Sequence, residues 1–201
     1  TPMLGIIAND ELVDEVREGE EAIVLLEETP FYAEAGGQVG DSGYLRLGKS
    51  IFRVADTTVS PTGHYLHHGK VVSGFLRPGD VAEAYVDTTR RRSIMRNHTA
   101  THLLQAALRE VLGNHVHQSG SLVSDEILRF DFTHFNAVTA EELTQIEKRV
   151  NEFILDALSV TVQEMSMEQA KEKGALALFG DKYSDQVRVV EISGVSIELC
   201  G

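Results

Sequence analysis

The chain has 201 residues, of which 42% are hydrophobic, and this fits one large or two small globular domains. Its net charge of −13 argues against a general nucleic-acid-binding protein, which carries a basic surface. A single cysteine excludes an internal disulfide framework and fits a reducing compartment, so we expect a cytoplasmic protein. We expect no membrane segment, because no apolar run approaches the roughly 20 residues of a membrane span. Residue 1 is Thr rather than Met, which suggests a fragment of a longer protein.

Residues 1–86 have the pattern of a β-domain. Short apolar or alternating runs are separated by turns rich in glycine and proline. The runs are Ala22–Leu26, Tyr44–Leu47, Ile51–Val54, Tyr65–Leu66, Lys70–Val72 and Val81–Val86. Many short strands with such turns predict a small β-barrel, and we expect this domain to span residues 1–86.

Residues 87–201 predict an α+β domain of two layers. A long helix starts near Asp87 and ends at Gly113, and strand-like sequence follows from His115 to Phe132. Capping boxes at Thr139 and Ser166 predict two further helices. Strands are predicted at Val160–Met165, Val187–Val190 and Val195–Leu199.

The long helix carries two histidines four residues apart, His98 and His102, which therefore lie on one face and can reach one metal ion. Both fall off the centre of the apolar stripe of this helix, so they are poor candidates for core residues. Cys200 can supply a third ligand, and His2Cys suits tetrahedral zinc. The chain ends one residue later. Either the fourth position is open to water and substrate, or the fourth protein ligand lies outside this chain.

Around the histidines the charge is locally basic. Residues 90–118 contain five arginines and one glutamate, and the arginines are Arg90, Arg91, Arg92, Arg96 and Arg109. One interpretation is a solvated helix start. The other is a patch that meets a few phosphates beside the metal site.

Five segments carry recognisable motifs: 96–104, 115–121, 178–183 and 198–201, and the glycine-rich segment 29–41. Together they resemble the editing domain of alanyl-tRNA synthetase and its free-standing relatives. The resemblance covers nearly the whole chain and implies a β-barrel with a glycine-rich motif followed by an aminoacyl-tRNA deacylase domain.

The resemblance implies an enzyme that removes seryl or glycyl groups from mischarged alanine tRNA. Its partners would be the acceptor end of alanine tRNA and the other domains of the parent synthetase. By position His98, His102 and Cys200 are zinc ligands. The family's motif continues to a last histidine, so we expect the metal motif to be truncated here, with weak or partial zinc occupancy.

By the same resemblance Thr101 and Gln118 line the aminoacyl pocket, where we expect them to bind substrate and take part in catalysis. A pocket that hydrogen-bonds the serine hydroxyl spares alanine, because alanine leaves the polar partner unpaired. We also assign substrate binding to Arg96 and to Gly36 and Gly37, which permit a close approach of the backbone to the terminal adenosine.

Other interpretations remain open at this stage. Thr101 can simply bond back to a helix carbonyl, Gln118 can face solvent, and the two glycines can form an ordinary tight turn. For the whole chain the alternatives are a non-catalytic, zinc-stabilised tRNA-binding module and the related editing domain of threonyl-tRNA synthetase.

Overall fold

The computed structural model describes residues 1–176 and 185–200. The chain divides into two compact units, Thr1–Ile94 and Met95–Gly201. The division lies inside a helix at 94/95, whereas the domain boundary predicted from the sequence lies at 86/87. The predicted motif at 178–183 lies outside the described residues. In the described part of the chain, no helix is long and apolar enough to cross a membrane.

The first unit is built from nine strands. They are β1 (Met3–Ala8), β2 (Glu11–Leu12), β3 (Val16–Arg17), β4 (Glu21–Leu26), β5 (Gly43–Leu47), β6 (Ser50–Val59), β7 (Tyr65–Ser73), β8 (Phe75–Leu76) and β9 (Glu83–Val86). Seven of them form one antiparallel sheet in the order β2-β1-β4-β7-β6-β5-β9, and β3 pairs with β8. A bridge between Pro2 and Val81 links the start of β1 to the residues just before β9.

Alternating apolar residues give this sheet one buried face, because successive side chains of a strand point to opposite sides. In β4 the residues Ala22, Val24 and Leu26 are buried, and the intervening ones are more exposed. They share a core with residues from β1, β5, β6 and β7, among them Ile6, Leu45, Phe52 and Val71. The β-rich character predicted for this part of the chain is confirmed.

Several strands of this unit differ from the prediction. The two-residue strands β2, β3 and β8 are not among the predicted strands, and β6 continues beyond its predicted end to Val59. β1 is not among the predicted strands: its burial follows no simple alternation, so the period-2 signal is weak. The runs at 65–66 and 70–72 are one strand, β7, because the intervening His67 is fully buried and Gly69 lies within the ladder.

The second unit combines helices and short sheets. Its elements are α1 (Thr88–Leu112, which begins in the first unit), β10 (Gln118–Val123), β11 (Leu128–Phe132), α2 (Ala140–Leu155), β12 (Val160–Ser166), α3 (Met167–Glu172), β13 (Gln186–Ile192) and β14 (Ser196–Leu199). β10 pairs with β11, and the other strands form an antiparallel sheet in the order β12-β13-β14. Antiparallel sheets with separate helices confirm the predicted α+β class.

Local signals set the helix ends. Asp87 accepts the backbone N–H groups of Thr89 and Arg90 at the start of α1, and Gly113 follows its end with a positive φ of 115°. Both predicted capping boxes, at Thr139 and Ser166, are formed. The apolar stripe of α1 packs into the core of this unit through Leu103, Ala107 and Leu108. Because this stripe is buried in the core, His98 and His102 lie on a different face of α1.

Candidate metal centre

The two histidines of α1 lie as the helical spacing predicts. The rings of His98 and His102 are stacked, with centroids 5.2 Å apart and planes at 25°. His102 is 7% exposed, and His98 is half-buried. The helix thus presents two imidazoles to one point, one of them deep in the unit.

The end of β14 brings Cys200 to these imidazoles. Cys200 Sγ is 2.9 Å from His98 Nε2, and the three ligand atoms all lie within 4.8 Å of one another. Backbone hydrogen bonds hold this end in place, since Cys200 N donates to Arg188 O and Leu199 N to Leu176 O. The structure therefore brings together the three residues that the sequence proposed as metal ligands.

Two further side chains extend the cluster. His102 Nδ1 lies 2.6 Å from Glu198 Oε2, and Ser196 Oγ donates to Glu198 Oε1 at 2.5 Å. The side chain of Glu198 is only 13% exposed. A hydrogen-bonded chain thus runs from Ser196 through Glu198 to the back of His102.

The environment of the cluster shifts the pKa values of His102 and Cys200. Burial is the largest influence on His102 and lowers its pKa, but the Cys200 sulfur and the Glu198 carboxylate outweigh it and raise the pKa to about 9. Burial likewise raises the pKa of Cys200, and the two histidines outweigh it and lower the pKa to about 6. The cluster favours a thiolate, the form of cysteine that binds metals.

The donor set fits a metal ion. Zinc binds nitrogen and thiolate at about 2.0–2.3 Å, so its tetrahedral ligands lie about 3.3–3.8 Å from one another. The three atoms here need to move by only about 1 Å to reach such distances. His102 Nε2 is buried and makes no hydrogen bond to any described residue, which is costly unless another partner is bound. Within residues 1–176 and 185–200 this cluster can hold a metal ion.

The other predicted residues of the second unit lie on the same helix or on β10. Thr101, 7% exposed, donates its hydroxyl to Asn97 O at 2.9 Å, one helical turn back. Gln118 is half-buried at the start of β10, opposite Phe132, and its side chain makes no hydrogen bond to the described residues. Arg96 is exposed on α1. A cavity of about 480 Å³ adjoins Glu198 and Gln105, but neither Thr101 nor Gln118 lines it.

The predicted glycines lie in the first unit. Gly36 and Gly37 have φ values of 58° and 82°, which favour glycine, and they form a turn closed by the Ala35–Gln38 bridge. A Cβ at Gly36 would meet nothing within 4 Å, so this turn is open on its outer side. The two glycines therefore lie in a tight turn whose outer side is open at Gly36.

Two arginines of the basic segment hold this glycine-rich segment. Arg90 donates to Gly40 O at 2.7 Å. Arg91 forms a bidentate pair with Asp41, whose side chain is 2% exposed, and also donates to Pro30 O. These two arginines thus have structural partners, which the sequence analysis did not foresee.

Glu198 and Ser196 are not among the residues predicted from the sequence, although a signal for them exists. Ser196 and Glu198 alternate along β14, and Cys200 directly follows its end with the same spacing. Alternate residues of an extended chain share one face. Once Cys200 is proposed as a ligand, this spacing places Glu198 beside the same centre.

The chain has close relatives among known proteins. Residues 1–90 match the family model described as tRNA synthetases class II (A). Over 199 residues, 99% of this chain, the sequence is 52% identical to the alanine–tRNA ligases of Bacillus pumilus and Acetivibrio thermocellus and 51% identical to that of Listeria monocytogenes. The chain spans 23% of the length of these relatives. The predicted resemblance to alanyl-tRNA synthetase is confirmed.

Proposed function

Because this chain is homologous to a segment of alanine–tRNA ligases, we propose that it edits mischarged alanine tRNA by hydrolysing the ester that holds a seryl or glycyl group. The observation that carries this proposal is the cluster of His98, His102 and Cys200 on the second unit. It adds a candidate metal site to an otherwise ordinary α+β domain.

The proposal includes the architecture of the two units: a small β-barrel followed by a deacylase domain. In the first unit, Met3 N donates to Asp80 O and Ala82 N donates to Thr1 O on either side of the Pro2–Val81 bridge. These bonds support a sheet that closes on itself as a small β-barrel, which leaves fewer unpaired strand edges. The second unit is the deacylase domain.

Zinc is the metal that best suits two imidazoles and a thiolate. Held by His98, His102 and Cys200, it would supply a Lewis acid that polarises or anchors the substrate. The residues of the chain do the rest: the histidines and the thiolate hold the ion, and the buried side of α1 excludes bulk water from His102.

Thr101 discriminates serine from alanine. Its hydroxyl hydrogen is already donated to Asn97 O, so its oxygen is left as an acceptor. A serine hydroxyl can donate to that oxygen, whereas the methyl group of alanine cannot. An editing site of this kind is needed because a synthetic pocket that fits alanine rejects serine only weakly.

Gln118 acts on the bond that is broken. Its amide group can donate to the ester carbonyl, where negative charge develops, or can orient the attacking water. In the second unit, Arg96, exposed on α1, binds a phosphate of the tRNA. In the first unit, the open turn at Gly36 and Gly37 binds adenosine.

The acidic character of the chain limits how tightly it binds tRNA alone. Its net charge is −13, and Arg90 and Arg91 are engaged with the glycine-rich segment. Few phosphate contacts give weak binding with a shallow dependence on salt. Other domains of a parent synthetase therefore supply most of the affinity for alanine tRNA.

Deacylation of seryl-tRNA, measured with and without zinc, tests this function. We expect zinc-dependent release of serine that is lost in His98→Ala and unchanged in His64→Ala, an exposed histidine of the first unit. Zinc content, measured on the same samples, should fall in His98→Ala alone. Zinc bound without any hydrolysis would favour the alternative of a non-catalytic tRNA-binding module.

Two variants separate the proposed roles. Thr101→Val keeps the size but removes the acceptor, so discrimination against alanyl-tRNA should shrink by about 1–3 kcal/mol, the cost of an unpaired polar group. Gln118→Ala should instead slow seryl and alanyl substrates alike, because it acts on the shared carbonyl or water. Wild-type rates on both substrates for Thr101→Val would leave Thr101 as a helix residue beside a ligand.

A further inference from the structure

Glu198 is the one carboxylate that contacts a proposed metal ligand within residues 1–176 and 185–200. Its Oε2 lies 2.6 Å from His102 Nδ1, and its Oε1 accepts a hydrogen bond from Ser196 Oγ at 2.5 Å. Both carboxylate oxygens thus have partners, and the side chain is 13% exposed. A carboxylate this buried and this well bonded has one defined orientation.

That orientation determines which nitrogen of His102 faces the cluster. The carboxylate accepts a hydrogen bond from Nδ1–H, so the lone pair of the neutral ring is on Nε2. Nε2 is also the nitrogen that is buried and has no hydrogen bond within the described residues. The contact with Glu198 therefore selects the tautomer and the ring rotation that a metal requires.

The charge of the carboxylate also matters. Two neutral imidazoles, one thiolate and a divalent cation carry a net charge of +1. His102 is 7% exposed, and a charge in such surroundings is costly unless an opposite charge lies nearby. With the Glu198 carboxylate against His102, the assembly becomes neutral.

We propose that Glu198, held by Ser196, is the positioning residue of this centre: it orients His102 for the metal and balances the charge of the bound ion. The inference rests on the metal centre of the proposed function and assigns it a residue outside the ligand set. Partners of this kind behind a metal-binding histidine typically change metal affinity by about 10–100-fold.

Zinc affinity, measured on the purified chain by competition with a chromophoric chelator, tests the proposal. Glu198→Ala removes both the acceptor and the charge, and we expect zinc to bind about 10–100-fold more weakly. Glu198→Gln keeps an acceptor but loses the charge, so its affinity for zinc should lie between those of the wild type and Glu198→Ala. Glu191→Gln is the matched control: this carboxylate lies opposite Ile197 on the neighbouring strand and pairs with Lys173, so zinc affinity should stay at the wild-type value.

The absorption spectrum of the cobalt-substituted chain gives a second measurement. A loss of folding stability alone does not shift the bands of bound cobalt. Glu198→Ala should shift the visible bands of bound cobalt, and Glu198→Gln should restore most of the wild-type spectrum. Zinc affinity within threefold of wild type in both variants, or an equal loss in Glu191→Gln, overturns the proposal. If Glu198→Ala does not fold, wild-type affinity in Glu198→Gln alone overturns it.

A different result would contradict the proposed metal centre itself. If His98→Ala still binds zinc tightly and stoichiometrically, the proposed ligand set is wrong, and so is the role of Glu198. Loss of zinc in His98→Ala together with unchanged affinity in the Glu198 variants leaves the centre standing and removes only the positioning role.

Discussion

Removal of the Arg91 guanidinium should destabilise the first unit far more than removal of its neighbour Arg92. Arg91 gives three hydrogen bonds, two to the Asp41 carboxylate and one to Pro30 O. Asp41 is 1% exposed, and among residues 1–176 and 185–200 its side chain otherwise accepts only the backbone N–H of Tyr32. Arg91→Ala therefore leaves a buried carboxylate without its counter-charge.

The magnitude follows from the burial of the two partners. Breaking a buried ion pair costs about 3–5 kcal/mol, because the remaining charge is uncompensated. The side chain of Arg91 is 30% exposed, so water screens part of the interaction, and we expect about 2–4 kcal/mol. Arg92 is exposed, and its replacement should change the stability by less than about 0.5 kcal/mol.

Urea unfolding of the purified chain, followed by tyrosine fluorescence, measures this difference. Four of the five tyrosines, Tyr32, Tyr44, Tyr65 and Tyr85, lie in the first unit, so the signal reports mainly on that unit. Asp41→Asn and the double variant complete a cycle that isolates the coupling between the two side chains. A loss below about 1 kcal/mol for Arg91→Ala, or equal losses for Arg91→Ala and Arg92→Ala, would refute the reasoning and return Arg91 to the candidates for phosphate binding.

Two further properties of the first unit can be tested by unfolding. Burial lowers the pKa of His67, so the unfolded chain binds more protons and stability should fall as the pH drops below about 6.5, by at most about 1.4 kcal/mol per pH unit. His67→Gln should flatten this dependence between pH 6.5 and 5, whereas the exposed control His64→Gln should leave it unchanged. Gly69→Ala should cost about 2–3 kcal/mol, because its Cβ would lie 2.0 Å from Arg53 O, while Gly5→Ala, whose Cβ would meet only Leu12 at 3.6 Å, should be tolerated. Equal costs at the two glycines would contradict the steric argument.

Much of the second unit could be predicted because its signals are local. The capping boxes at Thr139 and Ser166 use residues three positions apart, and both form as predicted. The spacing of His98 and His102 depends only on the pitch of one helix. A strand such as β1, whose apolar residues do not alternate, carries no comparable signal.

The sequence by itself determined the α+β class, most of the helices and strands, and the three residues that form the candidate metal site. Only the tertiary structure decided how these residues are supported. Glu198 reaches His102 because β14 packs beside α1, and Arg91 reaches Asp41 across 50 positions of the chain. A hydrogen bond depends on the distance between two atoms, and between residues far apart in sequence that distance is set by the packing of whole elements. For that reason the structural partners of Arg90 and Arg91, two arginines that the sequence alone left open between solvent and phosphate, are evident only in the folded chain.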